Sequence, residues 1–317
     1  MLYRVRNALN YANFNLRTRA VWRTPPVPSE PGAGCELHTM LSARDLPLYL
    51  IAAKSLLRFY PSLAVVVHSD RTLKAGHEAS LRHHLPGCRI VAAEEADERA
   101  RRELGTGSFL LNCREFDASY RRLIDTELWS SAPKRIILDS DVLVLQRPEE
   151  VIAWVERGDG SFLMGQPPAP SADTAAAAPA GPKHVQTIFK ENLGRIGAAL
   201  GQEPRFLDGG TGGFYGCGEE LSLDRVESLV RACLDLGLPM RDWGADQCVL
   251  IYLLSGAGAI RLDPGRYMNF LPDCIGRLDQ ARVLHFIGTF RFYRNVYADL
   301  ACRAIADLPR AGFPVKS

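Results

Sequence analysis

One apolar run interrupted by two acids constrains the fold more than any other part of this sequence. The run covers residues 134–145, and its acids are Asp139 and Asp141. Residues 136–138 are typical of a buried strand, and residues 142–145 resume the same apolar pattern. An unpaired carboxylate inside a sheet costs several kcal/mol. We therefore expect both acids to lie at the end of the strand, in a cleft.

The spacing of the two acids suits a metal site. In extended backbone, residues i and i+2 project to the same side, so the carboxylates of Asp139 and Asp141 can face one cation. Oxygen ligands of this kind suit a hard divalent ion such as Mg²⁺ or Mn²⁺. The alternative is a turn whose acids cap backbone amides or point to water. Asp-x-Asp is too common a tripeptide to decide between the two by itself.

Composition and charge exclude several classes of protein. A hydrophobic content of 47% with 23% charged residues is ordinary for a soluble globular enzyme. The formal charge of +2 gives no reason to expect nucleic acid as a partner. The eight cysteines contain no CxxC pair, which argues against a zinc site and against a disulfide scaffold. With no apolar stretch of membrane-spanning length and no visible signal peptide, we expect a cytoplasmic protein.

Residues 1–34 form a basic segment that becomes proline-rich towards its end. Such a basic, amphipathic segment can lie weakly on the anionic inner face of a membrane. The alternative, which we favour, is a solvated arm or a helix packed on the domain. The basic residues that precede the first acid are Arg4, Arg6, Arg17, Arg19 and Arg23.

From Cys35 onward, strand patterns alternate with helix patterns. This alternation predicts an α/β fold in which helices flank a mostly parallel, Rossmann-like sheet. We expect one large domain over residues 35–295, followed by a C-terminal helix and tail over residues 296–317. Ligands of such sheets bind at the carboxyl ends of the strands, where Asp139 is placed.

Residues 167–182 break the alternation, because their composition cannot bury enough apolar surface to become ordered. We expect a mobile insertion there. The expected strands are 36–41, 63–68, 89–93, 136–138, 161–164, 206–207, 259–262 and 283–286. The expected helices are 46–60, 75–84, 117–129, 149–156, 185–200, 223–236 and 245–254.

Four more segments each allow a functional and a structural interpretation. The glycines at 209–213 permit close approach of a ligand, or form a tight turn. Asp246 and Gln247 open an apolar helix, so they either face a polar substrate or cap the helix. Arg122 precedes the acid pair on a predicted helix and either reaches a phosphate or sugar, or is solvated.

The fourth segment is His285-Phe-Ile-Gly288, after a short apolar strand. A lone histidine is most often a hydrogen-bonded structural residue. An imidazole beside two carboxylates, however, completes a mixed nitrogen and oxygen set that Mn²⁺ accepts. Arg291, three residues after Gly288, has the geometry to hold a phosphate with two hydrogen bonds.

Taken in order, these segments resemble the retaining glycosyltransferases of family 8. The resemblance covers roughly residues 35–293, and its most specific parts are Asp139-Ser140-Asp141 and residues 285–288. It implies the GT-A fold and a sugar donor that is a nucleotide diphosphate, with a UDP-sugar favoured. It also implies bound Mn²⁺ (or Mg²⁺), an unidentified acceptor, and transfer with retention of configuration.

The resemblance also implies roles for particular residues. Asp139, Asp141 and His285 would hold the metal. Asp246 would bind hydroxyls of the donor sugar, and Gln247 would lie near its anomeric carbon. Arg291, where the family usually has lysine, would act catalytically by stabilising charge on the leaving phosphate. The residues implied to bind the donor are Ser42, Arg122, Ser140, Gly209, Gly210, Gly288 and Arg291.

Several alternatives stay open. Asp208, Cys248 and residues 292–293 depart from the family pattern around the donor sugar, so its identity is not implied. Phosphatases of the haloacid-dehalogenase type also pair an apolar strand with Asp-x-Asp, although they usually carry it near the start of the chain. A catalytically silent nucleotide-sugar-binding protein is the third possibility, against which the intact metal set argues. Another glycosyltransferase family with the same fold is a fourth.

Overall fold

The computed structural model describes residues 2–116, 118–158, 160–165 and 183–308, with side chains from Val5 onward except at position 289. The predicted insertion at 167–182 therefore lies outside the described residues, as does the tail after residue 308. The helices are α1 (Leu2–Arg17), α2 (Leu46–Leu57), α3 (Ala75–His84), α4 (Ala93–Leu104), α5 (Phe109–Cys113), α6 (Ala118–Trp129), α7 (Glu149–Arg157), α8 (Val185–Glu191), α9 (Leu193–Leu200), α10 (Leu223–Asp235), α11 (Ala245–Gly256) and α12 (Val296–Asp307). The strands are β1 (Cys35–Leu41), β2 (Ala64–Ser69), β3 (Arg89–Val91), β4 (Lys134–Leu138), β5 (Val142–Val144), β6 (Phe162–Gly165), β7 (Gly210–Cys217), β8 (Ile260–Arg261), β9 (Tyr267–Asn269) and β10 (Val283–His285).

A seven-stranded sheet with the order β3-β2-β1-β4-β7-β6-β8 forms the centre of the protein. The pairs β3–β2, β2–β1, β1–β4 and β6–β8 are parallel. Strand β7 runs antiparallel to both of its neighbours, β4 and β6. The predicted α/β fold with a mostly parallel sheet is confirmed.

A second, small sheet has the order β5-β10-β9. Strand β10 runs antiparallel to β5 and parallel to β9. Because β4 of the large sheet ends at Leu138 and β5 of the small sheet begins at Val142, the intervening residues connect the two sheets. The acid pair therefore lies at the junction between the sheets.

Strand β4 is buried on both faces. Ile136 and Leu138 belong to the apolar cluster on one face of the large sheet, and Ile137 belongs to the cluster on the other face. This alternation follows from the period of two along a strand. It explains why the run before the acids is continuously apolar, as expected for a strand covered by helices on both sides.

The N-terminal segment packs on the domain. Tyr11 and Phe14 of α1 are buried, and the Phe14 ring lies 4.5 Å from the ring of Tyr297 on α12. Farther along, Val27 is fully buried and its amide donates to the carbonyl of His84. These contacts agree with the packed-helix interpretation of this segment. Within the described part of the chain, no helix combines the length and apolarity required to cross a bilayer.

Some predicted elements were wrong. The strand expected at 206–207 is a loop, in which the amide of Leu207 donates to Ser255 Oγ at 2.9 Å instead of to a neighbouring strand. The helix expected at 185–200 is two helices, α8 and α9, because Asn192 between them has a non-helical φ of −109° and ψ of 8°. Helices α4 and α5 and strands β7 and β9 were not predicted.

Candidate active site

A cavity of about 410 Å³ lies where the large sheet meets the small one. It opens beside the carboxyl end of β4, where a parallel α/β sheet is expected to bind its ligand. Residues of α6, β7, α11, the acid-pair turn and the end of β10 line it. The residues singled out from the sequence that line this cavity are Arg122, Asp139, Asp141, Asp246, Gln247, His285, Gly288 and Arg291.

Asp139, Asp141 and His285 form a cluster with the geometry of a metal site. One ligand atom from each of the three residues lies within 4.8 Å of the other two. His285 Nε2 is 3.3 Å from Asp141 Oδ1 and 3.9 Å from Asp139 Oδ2. One imidazole nitrogen and two carboxylate oxygens are a ligand set that suits Mn²⁺. The residues present therefore fit a divalent cation.

The acids reach this arrangement through a turn. The amide of Val142 donates to the carbonyl of Asp139, and residues 140 and 141 form the turn between them. The extended backbone assumed in the sequence analysis was wrong, although both carboxylates do face His285. The turn arises because the chain leaves the large sheet at Leu138 and enters the small sheet at Val142.

His285 is oriented by its neighbours. Its Nδ1 lies 3.0 Å from Asn269 Oδ1, and both side chains are buried. Because an amide oxygen only accepts hydrogen bonds, Nδ1 carries a hydrogen, and Nε2 is the ring nitrogen that faces the two acids. Metal-ligating histidines are commonly held this way by a second polar group.

Gly213 on β7 leaves room for the imidazole. A Cβ atom at this position would lie 2.1 Å from His285 Cε1, much closer than real side-chain contacts. The carbonyl of Gly213 also accepts the amide of Asp139 at 2.9 Å. Strand β7 therefore positions two of the three candidate ligands. Its Gly213 carbonyl holds Asp139, and the absence of a side chain at residue 213 makes room for His285.

Two arginines hold the carboxylate oxygens that point away from His285. Arg122 Nη1 donates to Asp139 Oδ1 at 2.6 Å, and Arg291 Nη2 donates to Asp141 Oδ2. Burial by itself raises the pKa of the Asp141 carboxyl, but the positive charges of His285 and Arg291 outweigh it and lower that pKa to about 2. Asp141 is therefore ionised at neutral pH.

The start of α11 brings an acid and an amide into the same cavity. Gly244, with a φ of +91°, precedes the helix and allows the sharp entry. Gln247 Nε2 donates to the carbonyl of Gly210 at 2.7 Å, which fixes the amide against β7. Asp246 is buried, and Arg122 Nη2 lies 3.4 Å from its Oδ2. Arg122 thus contacts the carboxylates of both Asp139 and Asp246.

Four residues expected to bind the donor lie outside the described cavity lining: Ser42, Ser140, Gly209 and Gly210. Ser140 accepts the hydroxyl of Tyr297 through its carbonyl, at 3.3 Å. Gly210 contributes only through the carbonyl that holds Gln247. Gly209, with a φ of +75°, forms the turn that precedes β7.

Ser42 is connected to the cavity indirectly, through α1. Its Oγ donates to Asp45 Oδ2 at 2.6 Å, and the Tyr11 hydroxyl donates to Asp45 Oδ1 at 2.9 Å. Arg291 Nη1 in turn donates to the Tyr11 oxygen at 2.6 Å. Burial raises the pKa of the Tyr11 phenol to about 12, so the phenol is neutral at physiological pH and can serve as both donor and acceptor.

Sequence reasoning missed Gly213 as a specific position, Asn269 and Tyr11. Gly213 was included only in a run of glycines, and the sequence does not indicate which of them faces His285. Asn269 follows two apolar residues, Tyr267 and Met268, and a polar residue at the end of an apolar strand was the available signal. Tyr11 gives no such signal, because its contact with Arg291 joins residues 280 positions apart.

A second cavity, of about 280 Å³, lies at the carboxyl ends of β1 and β2. Helix α6 lines both cavities: Ser119 and Arg122 face the first, whereas Ala118 and Arg121 face the second. His68 also lines the second cavity, and its buried Nδ1 has no hydrogen-bond partner among the described residues. Its other ring nitrogen is 3.0 Å from His38 Nδ1.

No protein-family model matches the sequence, and no curated protein matches it. Among solved structures, the apo form of the bifunctional glycosyltransferase WbbM is similar, with a TM-score of 0.51 and 11% identity over 88% of this chain. That match spans 51% of the WbbM chain, about half its length. The galactosyltransferase LgtC, solved with donor and acceptor sugar analogues, matches at a TM-score of 0.47 and 17% identity over 89% of this chain and 97% of its own. Mouse xyloside xylosyltransferase 1 matches at 0.47 and 14%, over 83% of this chain and 99% of its own. The chain has the GT-A fold of glycosyltransferases.

Proposed function

We propose that this protein is a metal-dependent glycosyltransferase. It moves a sugar from a nucleotide-diphosphate donor, with a UDP-sugar favoured, to an acceptor, and the configuration of the sugar is retained. The observation that carries the proposal is the cluster of Asp139, Asp141 and His285 within 4.8 Å of one another. The cluster lies at the end of β4 in a GT-A fold, next to Arg122 and Arg291.

Asp139 Oδ2, Asp141 Oδ1 and His285 Nε2 would hold Mn²⁺ or Mg²⁺. When bound, such a cation stabilises the negative charge that develops on a leaving diphosphate. The remaining carboxylate oxygens stay with Arg122 and Arg291, which keeps the ligand oxygens aimed at His285.

Arg291 is the residue we assign to the leaving group. Its guanidinium lines the cavity beside Asp141, and it is anchored by the Phe286 carbonyl and the Tyr11 hydroxyl. A fixed positive charge next to the developing phosphate charge contributes more in the transition state than in the ground state. Gly288, which also lines the cavity, leaves backbone open to the diphosphate.

Asp246 and Gln247 are assigned to the donor sugar. Apart from the two candidate metal ligands, Asp246 is the only acid among the described residues that line the cavity. It faces Arg122, an arrangement that suits a hydrogen-bond acceptor for sugar hydroxyls better than a nucleophile. We therefore favour attack of the acceptor from the donor's own face, with the leaving phosphate accepting the proton.

We place the nucleoside of the donor in the second cavity. Its lining combines apolar side chains with polar ones such as Ser69 and Asp70, which suits a nucleobase and its ribose, and α6 connects it to the metal cluster. Burial lowers the pKa of His68 well below its usual value, so this buried ring beneath the cavity is neutral. We also propose that the protein is cytoplasmic and makes a weak contact with the inner face of a membrane.

The direct test is release of UDP from a panel of UDP-sugars in the presence of Mn²⁺. Turnover should vanish with EDTA and return with excess Mn²⁺. The Asp139→Asn variant should lose at least about a hundredfold in turnover, because the cation is then held less tightly and less well oriented. The matched control is Asp279→Asn, an exposed acid outside both cavities, which should behave as the wild type.

Two outcomes would contradict the proposal. Full turnover in EDTA would remove the metal from the mechanism. Phosphate release from p-nitrophenyl phosphate without UDP release from any donor would favour a haloacid-dehalogenase type of phosphatase.

A further inference from the structure

A third cavity, of about 340 Å³, lies beside the active-site cavity. Gly288 lines both of them, so the two cavities adjoin each other at this residue. One wall is a face of α1, and the other is the segment 288–293. The lining includes Asn7 and Asn10 on α1, and Phe290, Phe292 and Tyr293 on the segment.

The 288–295 segment is held firmly against α1. The Phe292 ring lies 4.9 Å from the Tyr11 ring, and Asn13 Nδ2 donates to Asn295 Oδ1 at 2.8 Å. Arg294 and Asn295 have φ values of 47° and 60°, in the left-handed region that side chains other than glycine seldom adopt. These two residues form the sharp turn that leads into α12.

The chemistry of the lining suits a sugar. Phe290 is 38% exposed, and Phe292 and Tyr293 are half-buried, so they present apolar aromatic surface to the cavity. The half-buried amides of Asn7 and Asn10 each offer two donors and an acceptor, as hydroxyl groups require. Apolar rings with a few convergent polar groups are typical of a small-ligand site.

We propose that this cavity is the subsite for the sugar unit of a saccharide acceptor. The inference rests on the proposed function, because it assigns the acceptor side of the same reaction. Because Gly288 lines both cavities, an acceptor bound here would approach the donor from the side of Gly288. The bond from that hydroxyl oxygen to the anomeric carbon forms, the bond from the anomeric carbon to the β-phosphate oxygen breaks, and the hydroxyl proton goes to the leaving diphosphate.

The test separates acceptor binding from donor chemistry. Saturation-transfer NMR with lactose, maltose and cellobiose, in the presence of Mn²⁺ and UDP, measures binding without turnover. The wild type should bind at least one of the three, and the Asn7→Ala/Asn10→Ala double variant should bind it at least about tenfold more weakly, since two hydrogen-bonding amides are lost.

The matched control is Leu9→Ala, which changes an exposed residue of the same helix outside the cavity lining. It should bind as the wild type does. Equal binding by the double variant, or no binding of any of the three disaccharides to the wild type, would overturn the subsite. If the wild type binds a disaccharide but hydrolyses no UDP-sugar, the proposed function fails while the subsite stands.

Discussion

Gly213 shows how one residue without a side chain determines the candidate metal site. His285 occupies the space where a Cβ atom would be, at a distance of 2.1 Å. The histidine lies on β10 of the small sheet and the glycine on β7 of the large one. The approach of two sheets is therefore possible at this point only because residue 213 is glycine.

The Gly213→Ala variant should consequently lose metal binding. The added methyl group forces His285 to move or the strand to shift, which costs about 1–3 kcal/mol in stability. It also turns Nε2 away from the two acids, so Mn²⁺ affinity should fall at least about tenfold in an EPR titration. Gly194→Ala is the control, because Gly194 lies in α9 with open space around it. Wild-type Mn²⁺ affinity in Gly213→Ala would show that His285 is not a ligand.

At the scale of elements, α1 is part of the site as well as part of the packing. Its Tyr11 hydroxyl lies between Asp45 and Arg291, so the helix supports the guanidinium that we assign to the leaving group. A residue that acts through another in this way is a positioning residue. It should affect turnover more than it affects donor binding.

Tyr11→Phe removes the hydroxyl and keeps the ring. We expect kcat for UDP-sugar hydrolysis to fall at least about tenfold, with the donor KM within about twofold, because a hydrogen bond from a charged guanidinium contributes about 1.5–3 kcal/mol. Phe14→Leu serves as the control: it loosens the packing of α1 without contacting Arg291, so it should lower the melting temperature and leave kcat unchanged. A raised KM at constant kcat in Tyr11→Phe would refute the positioning role.

The elements also show what a sequence can predict here. Strand β4 and the acids after it were predictable, because a buried strand excludes charge until it ends. Helix α4 was not, because its buried face consists of alanines (93, 96 and 100), which give little hydrophobic signal. Strand β7 was not predictable either, because glycines favour turns and those of β7 are required by contacts that only the folded protein contains. Gly210, for example, lies against Ile251, and Gly216 lies against Phe162.

The same distinction applies to the site. The candidate ligands Asp139, Asp141 and His285 each flank an apolar run, so their positions at strand ends could be inferred. Their supports could not, because Asn269 and Tyr11 act through contacts between distant parts of the chain. The roles assigned to the individual residues stay predictions.

At the scale of the whole molecule, the outer face of α1 exposes apolar side chains. Val5, Leu9 and Leu16 on the outer face of α1 are 54%, 64% and 63% exposed. Their spacing of four and seven places them on one stripe of the helix, opposite the buried Tyr11 and Phe14. An exposed apolar stripe on a basic helix supports the proposed contact with an anionic membrane.

Flotation with anionic vesicles at low salt tests this contact. The wild type should float, and added salt should release it, because arginines near the surface contribute about 1 kcal/mol each through screened attraction. Leu9→Gln combined with Leu16→Gln should abolish flotation without unfolding the protein, as both side chains are exposed. The control is Ile260→Gln, which changes an exposed apolar residue of β8 outside α1. Equal recovery of all three proteins would leave α1 with a structural role only.

The acid-pair turn joins the two sheets, and this has a thermodynamic consequence. Asp139 extends from β4 of the large sheet, whereas His285 belongs to β10 of the small one. A cation held by both residues is bound to the two sheets at once. Its binding free energy is therefore coupled to the free energy that keeps the small sheet docked, and the coupling is reciprocal. Substitutions in β9 or β10 at residues outside the cavity lining should therefore lower the affinity of the site for the cation. An excess of the cation should in turn protect the small sheet from hydrogen exchange.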